Sequence, residues 1–308
     1  MHVPQICQGC FWTIISSIAL FHLITGCSGN ESLEGRFSFS LSTFDPSGKL
    51  GQVERAIIAS SLGTPIVGVI QEDRILLASP QILPSPLMAD DGTTRFSNVT
   101  PTIAIAHSGI SADGRVLVAA AQRLAVEHAY TYDENIPIDL FLEEMSLLYQ
   151  NYTMTRGVRP FAATLLVAHM PSPPASKDEG QEESSSGNHP QLFRLDPSGS
   201  VVSFSENIAI INGQFASSRS ALESSLETLS RSNNATVAED RERLSRILQE
   251  AISPKATGSS GKKPDSSDDT VVLPSAMITA SLTRQGGLEV ERRKLTSSPP
   301  ESTSSSSS

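Results

Sequence analysis

Cysteine is scarce in this chain. Only three of its 308 residues are cysteine, and all three lie within the first 27 positions. The remainder can therefore form neither a disulfide framework nor a cysteine-rich metal site, a composition that suits a reducing compartment. Positive charge is scarce too, because 33 Asp and Glu outnumber 23 Lys and Arg and give a net charge of −10. This balance argues against a nucleic-acid-binding protein.

A long apolar run is found near the start of the chain, from Cys10 to Cys27. It has the length of a signal-peptide core with its flanks but is short for a membrane-spanning helix, and no Lys or Arg precedes it. We expect residues 1–35 to be an extension outside the fold. A signal or anchor segment is the alternative.

Three polar segments interrupt or end the patterned part of the chain. They are rich in Ser, Pro and charged residues and cannot bury a core. We expect a solvent-exposed insertion at residues 171–190, a linker at residues 253–270 and a disordered Ser-rich tail at residues 296–308.

Apolar periodicity predicts how the ordered segments fold. Alternating or short apolar runs predict strands at residues 65–70, 74–79, 102–107, 161–170, 192–195, 201–204, 207–211, 275–282 and 287–292. Helical spacing predicts helices at residues 48–60, 113–128, 137–152, 217–230 and 236–252. Blocks of strands alternate with paired helices, which indicates stacked antiparallel sheets covered by helices rather than a parallel sheet.

A turn precedes the first predicted helix. Residues 37–41 alternate Phe or Leu with Ser, and the pattern breaks at Asp45-Pro46-Ser47-Gly48. Proline presets its own φ and glycine tolerates positive φ, so these four residues favour a tight turn. We expect Ser47 to cap a helix that begins near Gly48.

Four segments together resemble proteasome α subunits, most closely the α2 type. They are FSFSLSTFDPSGKLGQVERA (37–56), SGISADGRVLVAAAQRLA (108–125), YTMTRGVRPFAATLLVA (152–168) and LFRLDPSGS (192–200). Each is similar to a family signature, and their order and spacing are compatible with the family. The resemblance places a proteasome α-type domain at residues 36–295. It implies an α+β fold, a four-layer α/β/β/α sandwich of the N-terminal nucleophile hydrolase type.

The resemblance also implies a function. A subunit of this kind is noncatalytic and lies in a seven-membered α ring that caps the 20S core. It acts as a scaffold, gates the access of substrates and docks regulators in ubiquitin-dependent protein degradation. The implied partners are six other α subunits, the β subunits, and an ATPase regulatory particle or other activators. No cofactor, nucleic acid or membrane is implied, and the implied location is the cytoplasm and nucleus.

The gate signature of the family can be carried over by residue. The matching positions are Phe37, Ser38, Pro46, Gly48, Glu54 and Arg55. Phe37 lacks the hydroxyl of the usual aromatic residue, and Arg55 replaces a tyrosine. Arg55 either reaches a neighbouring carboxylate or is a solvated helix residue.

A second family site is the pocket between neighbouring α subunits, where a lysine receives the C-terminal carboxylate of a regulator. Counting back from Ser108, the matching position is Arg95. Arginine can bind a carboxylate through two hydrogen bonds, so the chemistry can persist. An exposed loop arginine is the alternative.

An enzymatic alternative within the same superfamily is a threonine hydrolase with Thr64 as its nucleophile. Cleavage after Gly63 would expose that residue. Against it, the upstream signature belongs to subunits that retain their N-terminal segment. The strand end that carries aspartate in catalytic relatives reads Ala-Ser-Pro, ending at Pro80, and no lysine occurs between Lys49 and Lys177. The sequence also brings no carboxylates to His107, His128 and His169 at metal-ligand spacing, so we predict no metal site.

Overall fold

The computed structural model describes residues 43–45, 47–81, 94–155, 157–171, 189–212, 219–232, 235–252, 276–284 and 287–294. The predicted extension, linker and tail lie outside these residues, as does the insertion apart from residues 171, 189 and 190. Two compact units divide the chain, Met1–Gly51 and Gln52–Ser308. No helix among the described residues is long and apolar enough to cross a membrane.

Ten strands, β1 to β10, are found in the described residues. In chain order they are Ile66–Ile70, Arg74–Gln81, Phe96–Thr100, Ile103–Gly109, Ala163–His169, Gln191–Leu195, Val201–Ser203, Ile208–Ile211, Ala276–Thr283 and Gly287–Lys294. They form two five-stranded sheets, of order β10-β9-β2-β1-β8 and β3-β4-β5-β6-β7. Each hydrogen-bonded pair is antiparallel, which confirms the predicted arrangement.

The described residues also form five helices, α1 to α5. They are Gly51–Ser61, Ser111–Tyr132, Ile138–Met154, Arg219–Ser230 and Val237–Ile252. Pro137 stands at the N-cap of α3, in agreement with its prediction as a helix start. A reciprocal pair of hydrogen bonds between Thr236 and Glu239 caps α5.

Three apolar layers separate the sheets and helices. Leu117 and Phe141 pack α2 and α3 against the second sheet, and Leu77 and Leu166 are among the residues that fill the space between the sheets. A third layer, which includes Leu226, packs α4 and α5 against the first sheet. The strand β1 is buried along its whole length because both its faces are covered. The result is the predicted four-layer α/β/β/α sandwich.

The turn before α1 differs in detail from its prediction. Gly48 has a φ of 81° and donates its N–H to the carbonyl of Asp45 at 2.9 Å, as expected of a tight turn. The prediction that Ser47 caps the helix is wrong. Its hydroxyl instead donates to the Asp45 carboxylate, which also accepts the Lys49 N–H at 2.8 Å. The aspartate thus closes the turn, and α1 begins three residues later than predicted, at Gly51.

One strand, β3, was not predicted from the sequence. The strand β3, FSNVT, has only two apolar residues, and its register with β4 shifts between Asn98 and Thr100. Only Phe96 and Thr100 are buried along it. A half-polar edge strand with an irregular register gives little period-2 signal.

Candidate functional site

The junction between α1 and β1 contains Thr64, the residue of the enzymatic alternative. The chain leaves α1 at Ser61 and enters β1 at Ile66, so Thr64 lies inside a continuous backbone. Gly63 donates its N–H to the carbonyl of Ser60 at 3.0 Å and ends the helix. Thr64 is partly buried. An N-terminal nucleophile would need this residue at a free N-terminus, because its α-amine acts as the base.

Side chains from three strands or strand ends hold this junction. The hydroxyl of Ser108 donates to the carbonyl of Thr64 at 2.6 Å, and that of Ser79 to the carbonyl of Pro65 at 3.0 Å. The amide of Asn212 donates to the carbonyl of Ser60 at 2.8 Å and to the oxygen of Ser108 at 3.0 Å. The bonds from Ser108 and Ser79 satisfy carbonyl groups that follow the helix, and Asn212 adds a second donor to the Ser60 carbonyl, which already accepts the Gly63 N–H.

Two glycines allow the junction to approach β4. A Cβ atom on Gly63 would lie 2.1 Å from the backbone nitrogen of Gly109. This distance is a steric clash, so only glycine fits at position 63. Ser108 and Gly109 belong to one of the four quoted segments. Both contact the chain between α1 and β1. The junction is a packed and hydrogen-bonded element, and among the described residues no acid or amine side chain hydrogen-bonds to it.

An ion pair joins the start of α2 to the start of β5. The guanidinium of Arg159 donates to both carboxylate oxygens of Asp113, at 2.6 and 2.7 Å, and the N–H of Ala162 donates to Oδ2 at 2.9 Å. The hydrogen bonds from Arg159 lower the pKa of Asp113, and the bond from Ala162 acts in the same direction. The carboxylate is therefore held in its charged form where β5 enters the sandwich.

Arg95 precedes β3 and does not behave as an exposed loop residue. Its carbonyl accepts the N–H of His107 at 3.1 Å, and its side chain is partly buried. The Nε and Nη1 atoms are buried, and no described residue forms a hydrogen bond with them. Burial lowers the pKa of Arg95. Arg95 is thus partly buried, and both its docking role and the alternative of a loop arginine without that role stay predictions.

His107 lies under the start of α2 and shares this region with two cations. Burial, together with the charges of Arg95 and Arg115, lowers the pKa of His107 to about 4. Its Nδ1 atom is buried without a hydrogen-bond partner. No side chain caps the N-terminus of α2, where the N-cap residue is Ile110. The region thus combines buried donors, two guanidinium groups and a helix N-terminus, all of which favour an anion.

The structure describes only part of the predicted gate signature. Phe37, Ser38 and Pro46 lie outside the described residues. Glu54 and Arg55 are exposed on α1. His107, His128 and His169 end up in different environments, and no group of three or more His, Cys, Asp or Glu in the described ranges could hold a metal ion.

Sequence reasoning missed the roles of Asn212, Asp113 and Arg159. Asn212 has a φ of 53°, a left-handed conformation that asparagine tolerates better than most residues, and it directly follows β8. The position of Asn212 directly after an apolar run was the sequence signal that could have identified it. Asp113 and Arg159 stand in two of the quoted segments, but a pairing across 46 residues leaves no local trace.

Comparison with known proteins identifies what the chain is similar to. The family described as "Proteasome subunit" matches residues 60–263, which is more than half of the chain. A proteasome subunit alpha type-2 from Oryza sativa subsp. indica is 34% identical over 171 residues, which cover 56% of this chain and 66% of the relative. The subunit alpha type-2 from Drosophila melanogaster is 35% identical over 169 residues, covering 55% and 66%. That from Trypanosoma brucei brucei is 38% identical over 162 residues, covering 53% and 64%. The chain therefore spans slightly less than two thirds of the length of these relatives.

Proposed function

The chain belongs to the proteasome subunit family, and from this premise we propose that it is a noncatalytic α-type subunit of the 20S core particle. The observation that carries the proposal is the packed and hydrogen-bonded junction around Thr64. The helix α1 precedes it and hydrogen bonds from Ser108 and Ser79 fix the chain on either side of the following peptide bond. A catalytic role would need a free α-amine at this position and a nearby base.

The surroundings of Thr64 also argue against the alternative of a threonine hydrolase. The groups that contact the junction are hydroxyls, a carboxamide and backbone carbonyls. The end of β2 reads Ala78, Ser79, Pro80, Gln81 and supplies no carboxylate. In the described part of the chain, the hydrogen-bonding neighbours of a nucleophile here include neither an activating acid nor a lysine, which supports the proposal of a noncatalytic subunit.

Exposed apolar side chains support a subunit that assembles with others. Along α3, Leu140, Leu147 and Met154 are exposed at intervals of seven residues and so share one side of the helix over about 21 Å. On α2, Val116 and Tyr130 are likewise exposed, and Tyr130 is 93% accessible. Apolar stripes of this kind mark protein–protein contacts. We propose that these faces meet other proteasome subunits, namely six α subunits and the β subunits.

Arg95 supports a docking role for regulators. Its two buried nitrogens without protein partners are donors that a carboxylate can satisfy. Arg115 adds a second positive charge near His107, and the uncapped N-terminus of α2 adds the positive end of a helix dipole. We propose that this region receives the C-terminal carboxylate of an ATPase regulatory particle or another activator.

The gating role rests on the segment before α1. Asp45 and Gly48 build a closed turn there. The proposed gate is the stretch around Phe37 that precedes this turn. In this role the subunit controls the access of substrates in ubiquitin-dependent degradation, in the cytoplasm and nucleus, without a cofactor.

Purification from native extract tests the proposal. A tagged full chain should bring down other proteasome subunits in equal amounts, and its intact mass should show a chain that still contains the residues before Thr64. A stable monomer without such partners would contradict the role as a ring subunit. A mature chain that begins at Thr64 would instead support the hydrolase.

A further inference from the structure

A cluster of buried polar groups lies where the β1–β2 hairpin meets the helices α4 and α5. Gln71 and Arg74 belong to the hairpin, and Asp240 lies in the first turn of α5. Asp240 is fully buried, Gln71 is 4% exposed, and the side chain of Arg74 is 15% exposed. The proposed function makes no use of these residues.

The amide of Gln71 has a defined orientation. Its Nε2 atom lies 3.1 Å from Asp240 Oδ2, 3.2 Å from the carbonyl oxygen of Leu229 and 3.3 Å from that of Ser232. All three neighbours are acceptors, so a rotated amide would place its oxygen against them. The Oε1 atom therefore points elsewhere, and it is buried without a hydrogen-bond partner among the described residues.

Two more atoms of the cluster are buried without such a partner. One is Nη1 of Arg74, which lies 4.0 Å from Asp240 Oδ2, and the other is Oδ1 of Asp240. Arg243, whose side chain is half exposed, approaches Oδ1 only to 3.7 Å. Both separations exceed a direct hydrogen bond and are of the kind that a water molecule bridges.

These three atoms match the bonding capacity of one water molecule. Nη1 is a donor, and Oε1 and Oδ1 are acceptors. Nη1 lies 4.0 Å from Asp240 Oδ2, Oδ1 belongs to the same carboxylate, and Oε1 belongs to the amide whose nitrogen is 3.1 Å from Oδ2. All three atoms therefore lie at or next to this carboxylate. We propose that a buried water is bound here. It accepts a hydrogen bond from Arg74 Nη1 and donates to Gln71 Oε1 and Asp240 Oδ1.

Water fits this site better than a cation does. A buried water typically makes about three hydrogen bonds, as many as the site offers. Hard cations need about six oxygen ligands, whereas this site has one carboxylate and an adjacent guanidinium. The water completes a hydrogen-bonded connection from the first sheet to α4 and α5, and it satisfies Asp240 Oδ1, from which Arg243 stays 3.7 Å away.

A high-resolution structure of the assembled particle tests the site directly. We expect a density peak at about 2.6–3.2 Å from Arg74 Nη1, Gln71 Oε1 and Asp240 Oδ1. A direct contact between Arg74 and Asp240 with no peak would overturn the proposal. So would a peak with five or more oxygen ligands at about 2.4 Å, because that geometry belongs to a metal ion.

Two arginine variants of the same particle provide the matched comparison. Arg74→Met removes the donor to the water, so the peak should be lost and the melting temperature should fall by about 5 °C. Arg243→Met removes a charge equally near to Asp240 but not the bridge. It should keep the peak and shift the melting temperature by less than about 2 °C. Equal shifts, or a peak that persists in Arg74→Met, would overturn the assignment. If Arg74→Met does not assemble, the density of the unaltered particle decides the question.

Discussion

Arg159 holds the carboxylate of Asp113 by two hydrogen bonds of 2.6 and 2.7 Å, although 46 residues separate them in the chain. The carboxylate is nearly buried, whereas the guanidinium side chain is 61% exposed. The two partners therefore contribute unequally to the stability of the fold. Asp113 also accepts the buried N–H of Ala162 at 2.9 Å.

The first prediction follows from that asymmetry. Asp113→Ala should lower the free energy of unfolding by about 2–3 kcal/mol, because the Ala162 N–H and the guanidinium both lose their acceptor. Arg159→Ala should cost about 1 kcal/mol, since solvent screens the exposed partner. Urea unfolding of the two variants measures both. Arg219→Ala, which breaks an exposed pair with Glu223, should cost less than about 0.5 kcal/mol.

The sign of the pH effect at Asp113 provides a second check on this pair. A lowered pKa means that the stabilisation is complete above the ordinary carboxyl value of 3.8 and is lost as the pH falls below it. Asp113→Ala should therefore approach the stability of the unaltered chain in strong acid. A difference between the two that persists at low pH would contradict the ionic account.

The second prediction concerns His107. Its pKa of about 4 lies below its ordinary value of 6.5, so between these values the unfolded chain binds a proton that the folded chain does not. Stability should therefore fall as the pH is lowered from 6.5 to about 4, with a slope approaching 1.4 kcal/mol per pH unit. His107→Gln should remove that slope.

The measurement is the difference between the stability curves of the unaltered chain and of His107→Gln. A difference is needed because burial also lowers the pKa of His169, which changes stability in the same direction. Parallel curves between pH 4 and 6.5 would show that His107 titrates equally in both states.

The third prediction separates the side chain of Thr64 from its backbone. Thr64→Ala should leave assembly and peptide hydrolysis by the particle unchanged, because the junction uses the carbonyl group of this residue. Ser108→Ala should lower stability by about 1–2 kcal/mol, since it removes a donor to that carbonyl and an acceptor of the Asn212 amide. Loss of hydrolysis in Thr64→Ala would revive the enzymatic alternative.

The fourth prediction concerns docking at Arg95. Arg95→Ala should weaken the binding of a regulator-tail peptide with a free C-terminal carboxylate by about 10- to 100-fold, the value of a charge-assisted hydrogen bond. Arg95→Lys should recover part of the affinity, because the charge persists. Arg123→Ala, an exposed residue on α2, serves as the control. An amidated peptide that binds the unaltered particle as well as the free acid does would argue against the site.

The fifth prediction concerns the gate. Removal of Met1–Ser42 should raise peptide hydrolysis by the unactivated particle, while labelling of the β-subunit threonines by a small covalent probe should stay constant. The turn at Asp45 and the helix α1 remain, so the ring should persist. Removal of residues 296–308 should change neither readout. Weaker labelling or dissociation of the ring would assign the segment a packing role instead.

The sequence predicts elements well where the apolar pattern is strong and local. The helix α3 and the fully buried strands were predicted to within a few residues, because each buries a complete face. The edge strand β3 was missed because half of its residues are polar. Arg95 was identified as a position, but its burial depends on His107 and α2, which the sequence does not bring to it.

The order of the first sheet has a consequence for biosynthesis. The strand β9 pairs along its full length with β2, although about 200 residues lie between them. At about 5–20 residues per second, a ribosome needs at least about ten seconds to bridge that interval. During this time one edge of β2 has no partner and its apolar residues have no cover, a state prone to aggregation. The nascent chain therefore needs protection of that edge until β9 emerges.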